Sequence, residues 1–199
     1  MAAATPPTGP ETPPAMDVAA MDEAVDLLTR AYAALGITGT DPETARTPRR
    51  VAELYRELFR GRDQATAPHL RPMSHAGQGL VLVKDIPFHS MCAHHLLPFF
   101  GRASVAYLPR GHVVGLSAIV DVVDYFAARA QVQERLAEQI ADHIDEELRP
   151  GGVIVHLRAR HMCVEMRGPR KRSLVETVAS RGEMVDGRPR DEFFRRIRG

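Results

Sequence analysis

The chain has 199 residues, of which 44% are hydrophobic, and this is enough to form a packed core in one domain. Its formal net charge is +1, which excludes an overall field that would attract nucleic acid or a membrane surface. No apolar run approaches the roughly 18 to 20 residues needed to cross a bilayer. We therefore expect no membrane association, no nucleic-acid partner and a cytoplasmic location.

The N-terminal third predicts a tail followed by helices. Residues 1–20 begin with Ala, Pro and Thr and lack the basic start and apolar core of a secretion signal, so we expect a disordered tail. Apolar residues at helical spacing predict a helix over Met21–Leu35, with Gly36 at its C-cap. Asp41-Pro42-Glu43 predicts one helix start and Thr47-Pro48 a second that ends at Gly61.

Composition changes after this helical segment. Residues 64–79 are rich in Pro, His and Gly without periodicity and are predicted to be a linker between a helical segment at 21–63 and a catalytic domain at 80–199. Two strands, Leu80–Ile86 and Gly101–Leu108, are predicted to flank a His-rich functional loop.

The second half predicts helices and then strands. Helices are expected over Leu116–Ala130 and Val132–Leu148. The remaining predicted elements are strands at Val153–Ala159, Met162–Met166 and Leu174–Val178 and a short helix at Asp191–Ile197. This order predicts an α+β fold, with helices layered on one face of an antiparallel sheet.

Two cysteines and neighbouring histidines form the most informative pattern. Cys92 and His95 are three positions apart in Ser90-Met91-Cys92-Ala93-His94-His95, and a second thiol occurs in His161-Met162-Cys163. Together Cys92, His95 and Cys163 could hold one zinc ion and leave a fourth position open, as in hydrolytic sites. His94 and His161 are then the candidate groups for proton transfer, because imidazole titrates near neutral pH.

Two other interpretations of these residues stay open. A free cysteine is often a small buried hydrophobic residue, and adjacent histidines on a loop are often only solvated. A redox pair of Cys92 and Cys163 would need no metal, although the flanking histidines would then have no role.

The sequence resembles the GTP cyclohydrolase I family from about Thr47 to near the C-terminus. The motifs that carry the resemblance are Val83-Lys84-Asp85-Ile86, Ser90 to Phe99 (SMCAHHLLPF), Gly115-Leu116-Ser117, Gln131 to Leu136 (QVQERL) and His161 to Gly168 (HMCVEMRG).

The resemblance implies a tunnelling fold, in which an antiparallel sheet is backed by two long helices, and a homodecamer with active sites between subunits. It implies that zinc is held by Cys92, His95 and Cys163, that His94 and His161 handle protons, and that Glu134 anchors the guanine edge. It also implies that the product is 7,8-dihydroneopterin triphosphate, released with formate, for folate or related pterins. The further substrate-binding positions that it implies are Gln133, Ser117, Arg167 and Arg50.

The chain departs from the family pattern where the triphosphate is expected to bind. Ala118 and Asp121 stand where the family usually has a lysine and an arginine, so two phosphate contacts are missing and one charge is reversed. Charge-assisted hydrogen bonds contribute about 1.5–3 kcal/mol each. The cluster Arg170-Lys171-Arg172 could supply the two missing positive charges, or it could be a solvated turn.

Three hypotheses follow for function. The first is zinc-dependent opening of the guanine imidazole ring of GTP. The second is a paralogue with the same chemistry on a less phosphorylated guanine nucleotide or a related purine, and the third is an inactive nucleotide-binding module. Retention of the ligand set and both histidines disfavours the third.

Overall fold

The computed structural model describes residues 18–38, 41–77 and 79–198. Most of the predicted tail, residues 1–17, lies outside the described residues. The described residues divide into two compact units, which meet in the chain between residues 66 and 67.

The N-terminal unit is helical, as its periodicity predicts. Helix α1 spans Val18–Ala34 and helix α2 spans Thr47–Leu58, and short 3-10 turns follow at Arg60–Arg62 and Gln64–Thr66. Gly36 has a φ of 66°, the left-handed backbone that a glycine after a helix adopts without a steric penalty.

Two predictions in this unit are corrected. Helix α1 begins at Val18, three residues before the predicted start. The predicted helix start at Asp41 is a turn, because the carboxylate of Asp41 accepts a hydrogen bond from the backbone N–H of Glu43 at 2.9 Å and the chain becomes helical at Thr47. An Asx turn of this kind competes with helix propagation.

A five-stranded sheet and four helices build the C-terminal unit. The strands are β1 (Met73–Ser74), β2 (Val81–Cys92), β3 (Pro98–Leu108), β4 (His112–Val113), β5 (Ala130–Gln131), β6 (Gly152–His161) and β7 (Val175–Gly182). The helices are α3 (Leu116–Ala127), α4 (Gln133–Leu148), the single turn α5 (Met162–Glu165) and α6 (Gly187–Arg198). The order in the main sheet is β5-β2-β3-β6-β7, and β1 and β4 form a separate two-stranded ribbon.

The sheet has one face against α3 and α4 and part of the other against α6. Side chains alternate along β3 and β6, so that Val105 and Val155 join the core under α3 and α4, whereas Ala106 and Ile154 pack with Phe193 of α6. This alternation is the ordinary pleat of a strand. The predicted α+β fold, an antiparallel sheet backed by two long helices, is confirmed, with β5 added as a short parallel edge.

The structure corrects two predicted elements near the predicted site. Strand β2 continues to Cys92, so only a short turn separates it from β3. The predicted strand at Met162–Met166 is the one-turn helix α5. Within the predicted linker, Leu70 is 4% exposed and packs in the main core cluster.

In the part of the chain that is described, no helix is long and apolar enough to cross a membrane.

Candidate metal centre and active site

A tight turn at the end of β2 positions Cys92 and His95. The N–H of Leu96 donates to the carbonyl of Cys92 at 2.8 Å, and the N–H of Cys92 donates to the carbonyl of Leu97 at 2.9 Å. Leu96 has a φ of 49°, a left-handed conformation that turns the chain back sharply. The turn therefore carries His95 back toward the strand end that holds Cys92.

Cys163 reaches the same place through the sheet register. Phe99 at the start of β3 pairs with His161 at the end of β6. Helix α5 begins immediately after His161 and contains Cys163, so its thiol lies beside the turn between β2 and β3. An ion pair from Arg160 on β6 to Glu165 at the end of α5 fixes this turn, with Arg160 Nε donating to the Glu165 carboxylate at 2.9 Å.

The three predicted ligands converge. Donor atoms of Cys92, His95 and Cys163 all lie within 4.8 Å of one another. A tetrahedral zinc ion with sulfur and nitrogen ligands needs donor atoms about 3.5–3.8 Å apart, which small side-chain rotations would provide. Two thiolates and an imidazole are also the ligand types that zinc prefers. The residues present therefore fit a zinc ion with an open coordination position.

The electrostatics of the cluster depend on burial. Cys92 is buried and Cys163 is half-buried. Burial raises the pKa of the Cys163 thiol, the adjacent Cys92 thiol raises it further, and Arg167 opposes the rise. The Cys163 thiol therefore resists ionisation until a cation compensates its charge.

Both predicted catalytic histidines lie beside the three ligands. His94 is exposed, and its Nδ1 lies 3.8 Å from the Cys92 sulfur. His161 is half-buried; its ring stacks on Phe99 with centroids 4.7 Å apart and an interplanar angle of 4°. Burial lowers the pKa of the His161 imidazole, and the carboxylate of Glu134 opposes that shift. A half-buried imidazole is thereby favoured in its neutral, proton-accepting form.

Comparison with known proteins assigns the chain to the family that its sequence motifs predict. A family model described as GTP cyclohydrolase I matches residues 25–198. The chain belongs to the GTP cyclohydrolase I family. The predicted family, and with it the prediction of an enzyme of this family, is confirmed.

Individual relatives within the GTP cyclohydrolase I family cover most of the chain. GTP cyclohydrolase 1 of Carboxydothermus hydrogenoformans is 53% identical over 67% of this chain and 72% of that protein. GTP cyclohydrolase 1 of Deinococcus radiodurans is 42% identical over 98% of this chain and 94% of that protein. A crystal structure of the archaeosine synthase QueF-Like in the apo form overlaps 53% of this chain and 96% of that chain, with 25% identity and a TM-score of 0.44.

The other predicted site residues of this family member lie on different elements of the fold. Glu134 is exposed in the first turn of α4 and interacts electrostatically with His161. Ser117 is exposed in the first turn of α3. Arg167 contacts Nε2 of His95, at the metal centre. Arg50 is an exposed residue of α2 in the N-terminal unit. Their substrate contacts stay predictions.

Gln133 is placed differently from the other predicted substrate-binding residues. Its side chain is 1% exposed, and both ends of its amide are used within the protein. Nε2 donates toward backbone carbonyls, and Oε1 lies 2.7 Å from Nε2 of His161. In this structure the Gln133 amide therefore bonds to His161 and to the backbone of the sheet, and its role as a substrate contact stays a prediction.

Sequence reasoning did not identify Phe99 as part of the site. Its apolar character and strand position predict a buried residue, and it is 1% exposed. Its stacking on His161 follows from the pairing of β3 with β6, a long-range register that local sequence does not specify.

Proposed function

We propose that this protein hydrolyses GTP by opening the imidazole ring of guanine, releasing formate and giving 7,8-dihydroneopterin triphosphate. The observation that carries the proposal is the convergence of Cys92, His95 and Cys163 beside two histidines. In the overall reaction a net molecule of water is consumed and C8 of the base leaves as formate. Membership of the GTP cyclohydrolase I family supports this choice of substrate.

Zinc is the metal that this site would hold. When bound, it would supply Lewis-acid activation of water, which brings hydrolysis of a ring carbon within reach at neutral pH. The chain's own residues must then move protons, since a proton leaves the attacking water and another must reach the departing ring nitrogen. We assign these transfers to His94 and His161.

Recognition of the base is assigned to Glu134. Its exposed carboxylate can accept hydrogen bonds from the ring N–H and the exocyclic amino group of guanine, a charge-assisted pairing that adenine cannot offer. Arg167 at the metal centre, Ser117 and Arg50 are the proposed further contacts. The decameric assembly, a role in folate or related pterin biosynthesis and a cytoplasmic location are expected from the resemblance and the sequence.

The phosphate tail raises a second candidate substrate. Asp121 is an exposed carboxylate on α3, and the neighbouring Ala118 is half-buried against the core and offers no charge. Ala118 lies one position after Ser117 and Asp121 lies four positions after it. The Asp121 carboxylate would repel a phosphate group there rather than hold it. A guanine nucleotide with fewer phosphates is therefore the alternative to GTP, unless the exposed Arg170-Lys171-Arg172 segment supplies the missing charge.

A substrate series separates the two candidates. Zinc-loaded protein is incubated with GTP, GDP, GMP and guanosine, and formate release gives kcat/KM for each. A preference for GTP supports the first candidate, and a preference for GMP or GDP supports the second. Absence of formate with all four overturns the proposed chemistry.

A further inference from the structure

The buried amide of Gln133 is oriented by its surroundings. Its Nε2 lies 3.3 Å from the carbonyl oxygen of Leu157, 3.1 Å from that of Val175 and 3.2 Å from Thr177 Oγ1. Backbone carbonyls can only accept hydrogen bonds. The opposite orientation of the amide would place its oxygen against two carbonyl oxygens in a buried site, which is strongly unfavourable. The NH2 group therefore faces β6 and β7.

This orientation decides which nitrogen of His161 carries the hydrogen that faces Gln133. The oxygen of Gln133 faces His161 Nε2 at 2.7 Å, and an amide oxygen can only accept. Nε2 must then carry the hydrogen. In a neutral imidazole one nitrogen is the donor and the other bears the lone pair, so the lone pair is on Nδ1. Within the described part of the chain, no group bonds to that Nδ1.

We infer that Gln133 is a positioning residue that holds the His161 ring through its Nε2–H group, which leaves Nδ1 as the ring nitrogen without a protein partner among the described residues. The amide contact and the stack on Phe99 fix the ring in two directions. The tautomer follows from the geometry alone, whereas its use in turnover rests on the proposed function.

The tautomer can be measured without any activity. Protein labelled with 15N-histidine is studied by magic-angle-spinning NMR at pH 8, with zinc bound, and the His161 signals are assigned by their loss in His161→Asn. The inference expects a protonated Nε2 and an unprotonated Nδ1. A protonated Nδ1 with a bare Nε2 would overturn it.

Kinetics test whether Gln133 acts through His161. Gln133→Met keeps the side-chain shape and removes the hydrogen bonds. We expect kcat to fall about 10–100-fold, the range found when the hydrogen-bond partners of metal-binding histidines are removed, with KM and zinc content little changed. In a His161→Ala background the same change should have no further effect on kcat, because coupled residues are not additive.

Gln131 provides the matched control. It is equally buried, at 1% exposure, and its Nε2 donates to the carbonyl of Phe126 at 2.9 Å, but it does not contact His161. Gln131→Met should lower thermal stability as Gln133→Met does while leaving kcat within about twofold. Equal losses of kcat in both variants, or a fully additive loss in the His161→Ala background, would overturn the positioning role. If the wild-type protein fails to turn over any guanine nucleotide, the proposed function fails while the NMR spectrum still decides the tautomer.

Discussion

The ring of Phe99 lies parallel to that of His161, 4.7 Å away, at the point where the first residues of β3 pair with the last residues of β6. Phe99 is 1% exposed and belongs to the main core. The proposed catalytic residue His161 is thus stacked on the hydrophobic core of the sheet, and its orientation depends on the packing beneath it.

Phe99→Leu tests this stacking. Aromatic pairs contribute about 0.5–1.5 kcal/mol beyond their buried area, and the smaller side chain also leaves a cavity. We expect a lower melting temperature and a kcat reduced about 3- to 10-fold. Phe193→Leu is the matched control, since Phe193 is fully buried on the other face of the sheet. That variant should lose stability and keep kcat; an equal loss of kcat in both would refute the role of the stack.

His95→Ala tests the metal centre. Removing one of three protein ligands should abolish stoichiometric zinc binding and reduce formate release to background. His89→Ala is the control, because His89 is an exposed residue of β2 outside the ligand cluster. Zinc per subunit is measured by atomic emission after gel filtration. Full zinc occupancy in His95→Ala would rule out the assigned ligand set.

Arg167 is expected to act on the substrate's phosphates. It contacts His95 at the metal centre, and charge-assisted hydrogen bonds contribute about 1.5–3 kcal/mol each. Arg167→Ala should therefore raise KM for GTP about 10- to 150-fold and change KM for guanosine much less. Arg158→Ala, which removes an exposed arginine paired with Glu176, serves as the control. A similar rise in KM for both substrates would contradict phosphate contact by Arg167.

The stability of the folded protein should decline at alkaline pH because Tyr107 is buried. Its hydroxyl accepts a hydrogen bond from the N–H of Val114 at 3.1 Å, just before α3 begins, and burial raises its pKa above the ordinary value, an effect that the Val114 contact opposes. Because the folded-state pKa is the higher one, the unfolded chain releases this proton first. The contribution to stability is complete below about pH 10 and declines as the pH rises through the folded-state pKa.

The measurement is urea unfolding at pH 8 and at pH 10.5, with wild type compared with Tyr107→Phe. Wild type should lose more free energy of unfolding between the two pH values than the variant does. An identical pH dependence in the two proteins would contradict a buried, neutral Tyr107.

Much of the fold was predictable from local patterns. Helices α3 and α4 follow the apolar spacing in the sequence, and their observed starts at Leu116 and Gln133 agree with prediction to within one residue. Strand β2 was predicted too short because the His-rich segment looked like a loop. Its buried residues Ile86, Phe88 and Ser90 in fact alternate with exposed ones, the period-two pattern of a strand with one polar member inside.

The site was predictable as a set of ligands but not as an arrangement. The spacing of Cys92 and His95 and the second thiol at Cys163 indicated the candidate metal centre, whose donor atoms the structure brings together. The one-turn helix that carries Cys163 was not predicted, because the apolar run after His161 also suits a strand, and the Arg160–Glu165 ion pair closes the turn instead. The contact between Gln133 and His161 joins residues 28 positions apart, which local sequence patterns do not relate.

Isotope labelling at C8 of GTP tests the proposed cyclohydrolase activity at the carbon that leaves the base as formate. GTP labelled with 13C at C8 is incubated with zinc-loaded protein, and the 13C spectrum is followed over time, with His95→Ala in parallel. We expect that the label moves quantitatively into formate with wild type and that the remaining product becomes a fluorescent neopterin on oxidation. Neither should occur with His95→Ala. A label that stays in the purine while zinc is bound at one ion per subunit would contradict GTP cyclohydrolase activity.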